Sequence, residues 1–364
     1  MLNVIKRNGG NMRRKKLLFG VLVLLLSLIL GACGGKPDST GNKQSQNMSG
    51  ADNGNHTQEK RKFKVAFSGG QSHIHYKTME VFKKELEEKS NGRIEVQFYP
   101  ESTLGTDAEV MNQLKSGSLD MGIVISGELA NHSSSFNAWF MPFLIPNAQA
   151  AYEMGNTEEA KALFDTLPDA GVVSLGYLVI EMRDVLSKDS LIESLDDLKG
   201  TNIRVTPSPA IVDFWQTFGA NPTPIDLTEI YSAFQTGVIN VIDSGPTSIV
   251  NGKYHEIGKY YTQTKHMAFT SSGLVSEAVW NKLSADDQEL IKDAFELARK
   301  SNVELITGIE NQSLDLMKQG GVTIGTLKMN DEGQRKIAHF YDKYTNGDEK
   351  IKAFVEKAEE LGKQ

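Results

Sequence analysis

From Phe63 to Ile125 the chain alternates between two hydrophobic periods, and no other feature constrains its fold as much. Phe63–Phe67 reads as a strand, broken by Gly69-Gly70. Tyr76–Ser90 then sets Met79, Phe82 and Leu86 at helical spacing and ends at Asn91-Gly92. Arg93–Phe98 alternates as a second strand before Pro100, Asp107–Lys115 is a short helix before Gly117, and Asp120–Ile125 is a third strand. Strand, helix, strand, helix, strand predicts a parallel sheet covered by helices, because parallel neighbours need a crossover to join them. The pattern resumes with a helix over Ala148–Phe164, strands at Val172–Tyr177 and Asn202–Val205, helices over Ile211–Phe218 and Leu227–Thr236, and a strand at Val238–Ile242. Long charged helices follow at Ser284–Gln319, Asp331–Tyr344 and Glu349–Leu361, and no internal repeat recurs at a fixed period.

The N-terminal 33 residues have a different character. Arg13, Arg14, Lys15 and Lys16 precede an uncharged, mostly apolar run from Leu17 to Leu30, and small residues lead to Cys33. A basic start, a short apolar centre and a small-residue end make a secretory signal peptide. Fourteen residues at ~1.5 Å each span about 21 Å, short of the ~30 Å hydrocarbon core. Residues 34–61 are rich in Gly, Ser, Asn and Gln, with almost nothing apolar to bury, and read as a flexible polar linker. Loss of residues 1–33 takes the formal charge from −7 to −13, with 33 basic residues against 46 acidic. That acidity argues against nucleic acid as a partner, since phosphate neutralisation supplies most of such affinity. An anionic ligand must then be held by a few local cations.

Cys33 is the one cysteine, and its place after Leu30-Gly31-Ala32 resembles the bacterial lipobox, in which the thiol receives lipid. That resemblance implies a protein tethered to the membrane on its extracytoplasmic face, whether cell surface or periplasm, with no thiol left for a disulfide or a metal. The body is expected to be α/β, a two-lobe periplasmic-binding-protein-like fold with a ligand cleft between the lobes and long C-terminal helices. The expected lobes are 62–180 with 270–310 returning to it, and 181–269 with 311–364.

From about Phe63 onward the chain resembles the DctP-type solute-binding proteins of tripartite ATP-independent periplasmic (TRAP) transporters. Pro100-Glu-Ser-Thr-Leu-Gly105 and Gly117-Ser-Leu-Asp-Met-Gly122 match the turns around the second and third strands. The most specific match runs through Leu195-Asp-Asp-Leu-Lys-Gly-Thr-Asn-Ile-Arg-Val205, Gly219-Ala-Asn-Pro-Thr-Pro224 and Glu229–Val238. Trp280-Asn-Lys-Leu-Ser284 adds another. The resemblance implies capture of a small organic acid and delivery to a TRAP membrane permease, with Arg204 gripping the ligand carboxylate. A guanidinium suits that role because its planar fork gives a carboxylate two parallel charge-assisted hydrogen bonds. The competing role for Arg204 is a structural pair with an acid such as Asp213.

Arg183 matches a second arginine of the family, and ligand contact and an ion pair with Glu181 or Asp184 both remain open. Asn240-Val-Ile-Asp-Ser-Gly245 departs from the family pattern. Ser244 stands where the family has a ligand-contacting asparagine, Asp243 where it has glutamate, and Leu227 where an aromatic lines the pocket. Ser68, His73 and His75 follow the first strand and are expected as polar cleft lining or a plain solvated loop, while Trp139 and Phe140 are expected in core or hinge packing. No cofactor is expected, and two histidines without a nearby acid do not make a metal site. A sensor-system subunit and a lipid-anchored hydrolase are the alternatives. The hydrolase lacks a Gly-x-Ser-x-Gly elbow, a His-Glu-x-x-His pair and a free cysteine.

Overall fold

The computed structural model describes residues 60–167 and 169–363. The expected signal peptide, Cys33 and nearly all of the expected linker lie outside the described residues. The strands are β1 (Arg61–Phe67), β2 (Ile94–Tyr99), β3 (Met121–Ile125), β4 (Val172–Ser187), β5 (Asn202–Val205), β6 (Asn221–Pro224), β7 (Val241–Ser244), β8 (Tyr260–Ser276) and β9 (Thr323–Thr326). They form one sheet in the order β2-β1-β3-β8-β4-β7-β5-β6, with β9 beside β8. Helices α1 (Ile74–Lys89), α2 (Asp107–Ser116), α3 (Ser126–His132), α4 (Ala148–Met154) and α5 (Glu158–Lys161) belong to the first half of the chain. They are followed by α6 (Pro209–Thr217), α7 (Ile230–Thr236), α8 (Pro246–Asn251), α9 (Glu277–Trp280), α10 (Ala285–Gln319), α11 (Asp331–Thr345) and α12 (Glu349–Leu361).

The sheet is mixed rather than parallel throughout. β1 pairs in parallel with β2 and β3, and β5 pairs in parallel with β6 and β7. Between these two parallel groups, β4 and β8 run antiparallel from Val172 opposite Ser276 to Ser187 opposite Tyr260. One end of β8 joins β3 and the opposite end of β4 joins β7. Two α/β halves are thus connected by a long ribbon whose register shifts three times, at Ser174/Gly176, Val179/Glu181 and Arg183/Val185. Such bulges bend and twist a strand pair locally. The expected lobe boundaries at 180/181, 269/270 and 310/311 fall inside β4, β8 and α10.

Side-chain burial explains why the halves hold together. Phe63, Val65 and Phe67 of β1 pack with Met79, Phe82 and Leu86 of α1 and with Ile291 and Phe295 of α10. In the other half, Ile203 and Val205 of β5 meet Phe214 and Trp215 of α6, all wholly buried. Fully burying each such side chain contributes about 1.5–3 kcal/mol. Trp139 and Phe140 are buried, and Trp139 packs against Tyr177 and Phe354 at ring-centroid distances of 4.7 and 5.0 Å.

The helix expected over Ala148–Phe164 is interrupted. α4 stops at Gly155, and Thr157 caps a new start by accepting the N–H of Ala160. β4 extends ten residues past the expected end at Tyr177, and β8 has no counterpart among the expected strands.

Candidate ligand-binding site

Parallel strands present their C-terminal ends to ligands, and here the ends of β1, β3, β5 and β7 converge over the middle of the ribbon. A cavity of about 700 Å³, its open mouth included, lies there. Its wall includes Ile180, Glu181, Arg183 and Phe269 from the ribbon. The first half supplies Ser68, His73, His75, Ser102, Thr106, Asp107 and Ile125, and the second supplies Arg204, Thr206, Pro207, Asp226, Leu227, Thr228, Ser244 and Ser248.

Arg204 ends up here because β5 is a buried strand stopping just before Pro207. Its side chain is only 4% exposed. Nε donates to the carbonyl of Ile225 at 2.9 Å and Nη1 to that of Asp243 at 3.4 Å. No carboxylate among the described residues comes within 4.0 Å of its guanidinium. Asp213, the acid considered as its structural partner, instead accepts from Lys343 at 2.8 Å. Burial, aided by the neighbouring Arg183 cation, pulls the pKa of Arg204 down to about 10. A buried cation without an anion is costly, so this side chain is oriented and electrostatically unsatisfied.

Arg183 is in the opposite condition. Its Nε reaches Asp243 Oδ1 at 2.7 Å, another nitrogen donates to the Asp243 carbonyl, and its guanidinium carbon lies 4.4 Å from the centre of the Phe269 ring. Neither Glu181 nor Asp184 is its partner. Asp243 is wholly buried behind the cavity wall, where it also accepts from Trp215 Nε1 at 2.8 Å and lies 3.2 Å from His266 Nε2. Burial alone would raise its pKa. Arg183 and His266 outweigh that and hold it well below the usual carboxylate range. Asp243 therefore anchors Arg183 and does not line the cavity.

Glu181, named in the sequence only as a possible partner of Arg183, proves to be a wall residue. It is 1% exposed. Its carboxylate accepts from the backbone N–H groups of Gly245 and Ser248 at 2.8 and 3.1 Å, and from the hydroxyls of Ser244 and Thr247. Gly245 permits this approach, since a Cβ there would stand 2.5 Å from Glu181 Cδ. Ser244 thus faces the cavity with its hydroxyl engaged by Glu181. Asp107, at the start of α2, accepts from the N–H of Ile125 at 3.4 Å. Burial pushes its pKa up to about 7, with Glu128 and Asp226 adding repulsion.

Ser68, Leu227, Ser244, Arg183 and Arg204 are brought together, and His73 and His75 join them. Asp107, Glu181, Asp226, Thr206, Ser248 and Phe269 were not singled out as wall residues. Among the described residues no group of three or more His, Cys, Asp or Glu side chains is placed to hold a metal ion.

The family model described as DctP, bacterial extracellular solute-binding protein, family 7, matches residues 66–346. The chain belongs to that family. The DctP-type resemblance of the 195–238 segment is thereby confirmed, and so is the two-lobe architecture. A solute-binding protein of Chromohalobacter salexigens is 26% identical over 279 residues, covering 77% of this chain and 83% of that protein. The ectoine-binding periplasmic protein TeaA of Halomonas elongata is 27% identical, covering 78% and 82%. A TRAP periplasmic solute-binding protein from Bradyrhizobium, solved with galacturonate, superposes with a TM-score of 0.77 at 28% identity, covering 82% of this chain and all of that one. A Chromohalobacter salexigens TRAP protein with bound D-glucuronate gives 0.77 at 25%, covering 82% and 99%. No helix of this DctP-family chain's described residues is long and apolar enough to cross a membrane.

Proposed function

We propose that this DctP-type protein captures a small hydroxylated organic acid of the sugar-acid kind, with its carboxylate on Arg204, and delivers it to a TRAP-type permease. The reading rests on one observation: a buried guanidinium at the cavity wall, fixed by two carbonyls and left without a carboxylate partner among the described residues. A ligand carboxylate is the anion that completes it. On the same wall Asp226 accepts hydrogen bonds from hydroxyls, and Glu181 and Asp226 repel a second carboxylate. A monoacid bearing hydroxyls is therefore favoured over a dicarboxylate. The galacturonate and D-glucuronate held by the two structural relatives are acids of that kind. A ligand touching both halves shifts the population toward the closed form.

A thermal-shift screen of sugar acids against dicarboxylates tests the reading, because a ligand of the native state raises the melting temperature by mass action. Sugar acids are expected to raise it and succinate to leave it unchanged. A shift with succinate and none with any sugar acid would reverse the assignment. The tether is proposed as lipid on Cys33. Cys33→Ser should move the protein from the membrane pellet to the soluble fraction with ligand affinity intact, and a variant still in the pellet would refute the anchor.

A further inference from the structure

Two imidazoles at the start of α1 face the cavity with bonding capacity that the protein leaves unused. His73 caps α1: its Nδ1 accepts the backbone N–H of His75 at 3.1 Å, so Nδ1 carries no proton. A neutral ring in that role must carry its proton on Nε2. Burial lowers the pKa of His73, against an opposing pull from Glu181, so the neutral form prevails at pH 7. The Nε2–H has no partner among the described residues, and the ring, 6% exposed, lines the cavity. Gly69 makes room for it, since a Cβ there would lie 2.3 Å from His73 Nδ1.

His75 adds a second, independent observation. It is 1% exposed and lines the same cavity. Its Nε2 lies 3.0 Å from Ser271 Oγ on β8, whereas its Nδ1 is buried with no partner. Burial, and then the neighbouring His73, hold its pKa well below 6.5. The two rings meet edge to face, with centroids 4.7 Å apart. Nearly all buried polar atoms in native proteins have a partner, and His75 Nδ1 is an exception that a ligand in the cavity can supply.

We propose that His73 and His75 bind the hydroxyl groups of the captured acid from the first half of the sheet, while Arg204 holds its carboxylate from the second. His73 donates through Nε2–H, and His75 pairs through Nδ1. Both rings are neutral and offer no charge to a second carboxylate, so they select for hydroxyls. The proposal rests on the carboxylate grip and adds the contacts through which one ligand bridges both halves.

The test is calorimetric titration with D-glucuronate, D-galacturonate and cyclohexanecarboxylate, which has the six-membered ring and the acid but no hydroxyls. His73→Asn retains a capping side chain, so its ligand-free melting temperature should match that of the wild type. Its uronate affinity should fall about tenfold relative to cyclohexanecarboxylate, the worth of one neutral hydrogen bond. His75→Phe should show the same loss. Variants that bind uronates as the wild type does would overturn the proposal, and so would a wild type that binds neither uronate. Arg204→Met keeping full affinity would instead refute the carboxylate grip, so the two failures are distinguishable. Nitrogen-15 spectra of the ligand-free protein give a further readout: Nδ1 of His73 unprotonated at pH 7 supports the proposal, and the opposite tautomer contradicts it.

Discussion

Replacing Arg204 with methionine should separate binding from stability, because the side chain is buried in the ligand-free fold without an anion. Its pKa of about 10 lies below the ordinary 12.5, so the folded state binds that proton less tightly than the unfolded chain. The sign follows from linkage: the cost is present in full at any pH below about 10 and disappears only as pH rises past the unfolded value. At 1.36 kcal/mol per unit, a gap of about 2.5 units costs about 3 kcal/mol. Methionine removes that cost and keeps much of the packing. It also removes the hydrogen bonds to Ile225 and Asp243, worth about 1.5 kcal/mol each from a charged donor. Ligand-free Arg204→Met should therefore be as stable as wild type, to within about 1 kcal/mol, in urea unfolding. Losing one partner of a buried charge pair costs ~2–5 kcal/mol, so acid affinity should fall by about 30-fold to several-thousand-fold in calorimetry. Arg204→Lys should recover little, because a point charge lacks the planar fork. A variant destabilised by about 3 kcal/mol that still binds its acid normally would show Arg204 to be structural and refute the reasoning.

Three further outcomes are expected. Asp243→Asn leaves Arg183 without its buried anion and should destabilise the fold by about 3–5 kcal/mol. Because the folded pKa of Asp243 is depressed, its contribution is present above the unfolded value near 4 and lost as pH falls below it. Urea midpoints of the wild type should then drop more steeply in acid than those of Asp243→Asn. Asp107 behaves with the opposite sign: its folded pKa is raised to about 7, so stability declines as pH rises from about 4 to 7. Asp107→Asn should remove that slope from a pH series of urea midpoints, and an unchanged slope would show that another group carries it. Gly245→Ala would set a Cβ 2.5 Å from Glu181 Cδ and from the Met182 carbonyl, an overpacking that should cost about 1–3 kcal/mol by denaturation.

β1, β2, β3, β5 and β7 were legible in the sequence because each is short, largely apolar and followed by a helix, whereas the parallel strands β6 and β9 were not read as strands. The long ribbon was not legible either. Thr270, Ser271 and Ser272 of β8 are wholly buried, as is His266, so no polar–apolar alternation marks that strand. Two of these groups are satisfied sideways, Thr270 by Ser126 at 2.7 Å and Ser271 by His75 at 3.0 Å. β4 was cut short for the same reason, since Glu181, Arg183 and Asp184 put three charged residues into the strand yet lie at 1–3% exposure.

Arg204 was recognisable because its motif is local, lying within one strand and the turn that precedes it. Glu181 was not, because its partners Gly245, Thr247 and Ser248 come from the start of α8, more than sixty residues along the chain. The chemical signal available was a run of three charged residues, Glu181, Arg183 and Asp184, in an otherwise β-prone segment. Asp243 was placed in the site because it stands where the family has a glutamate, next to Ser244. Strand alternation sends the two side chains to opposite faces, one toward the cavity and the other toward Arg183.

A crystal structure of the protein soaked with the sugar acid that most raises its melting temperature tests the account most directly. The acid's carboxylate should sit on the guanidinium of Arg204, with both oxygens in hydrogen-bond range and the hydroxyls turned toward His73 and His75. A carboxylate bound elsewhere in the cavity, with Arg204 still joined only to the carbonyls of Ile225 and Asp243, would contradict it.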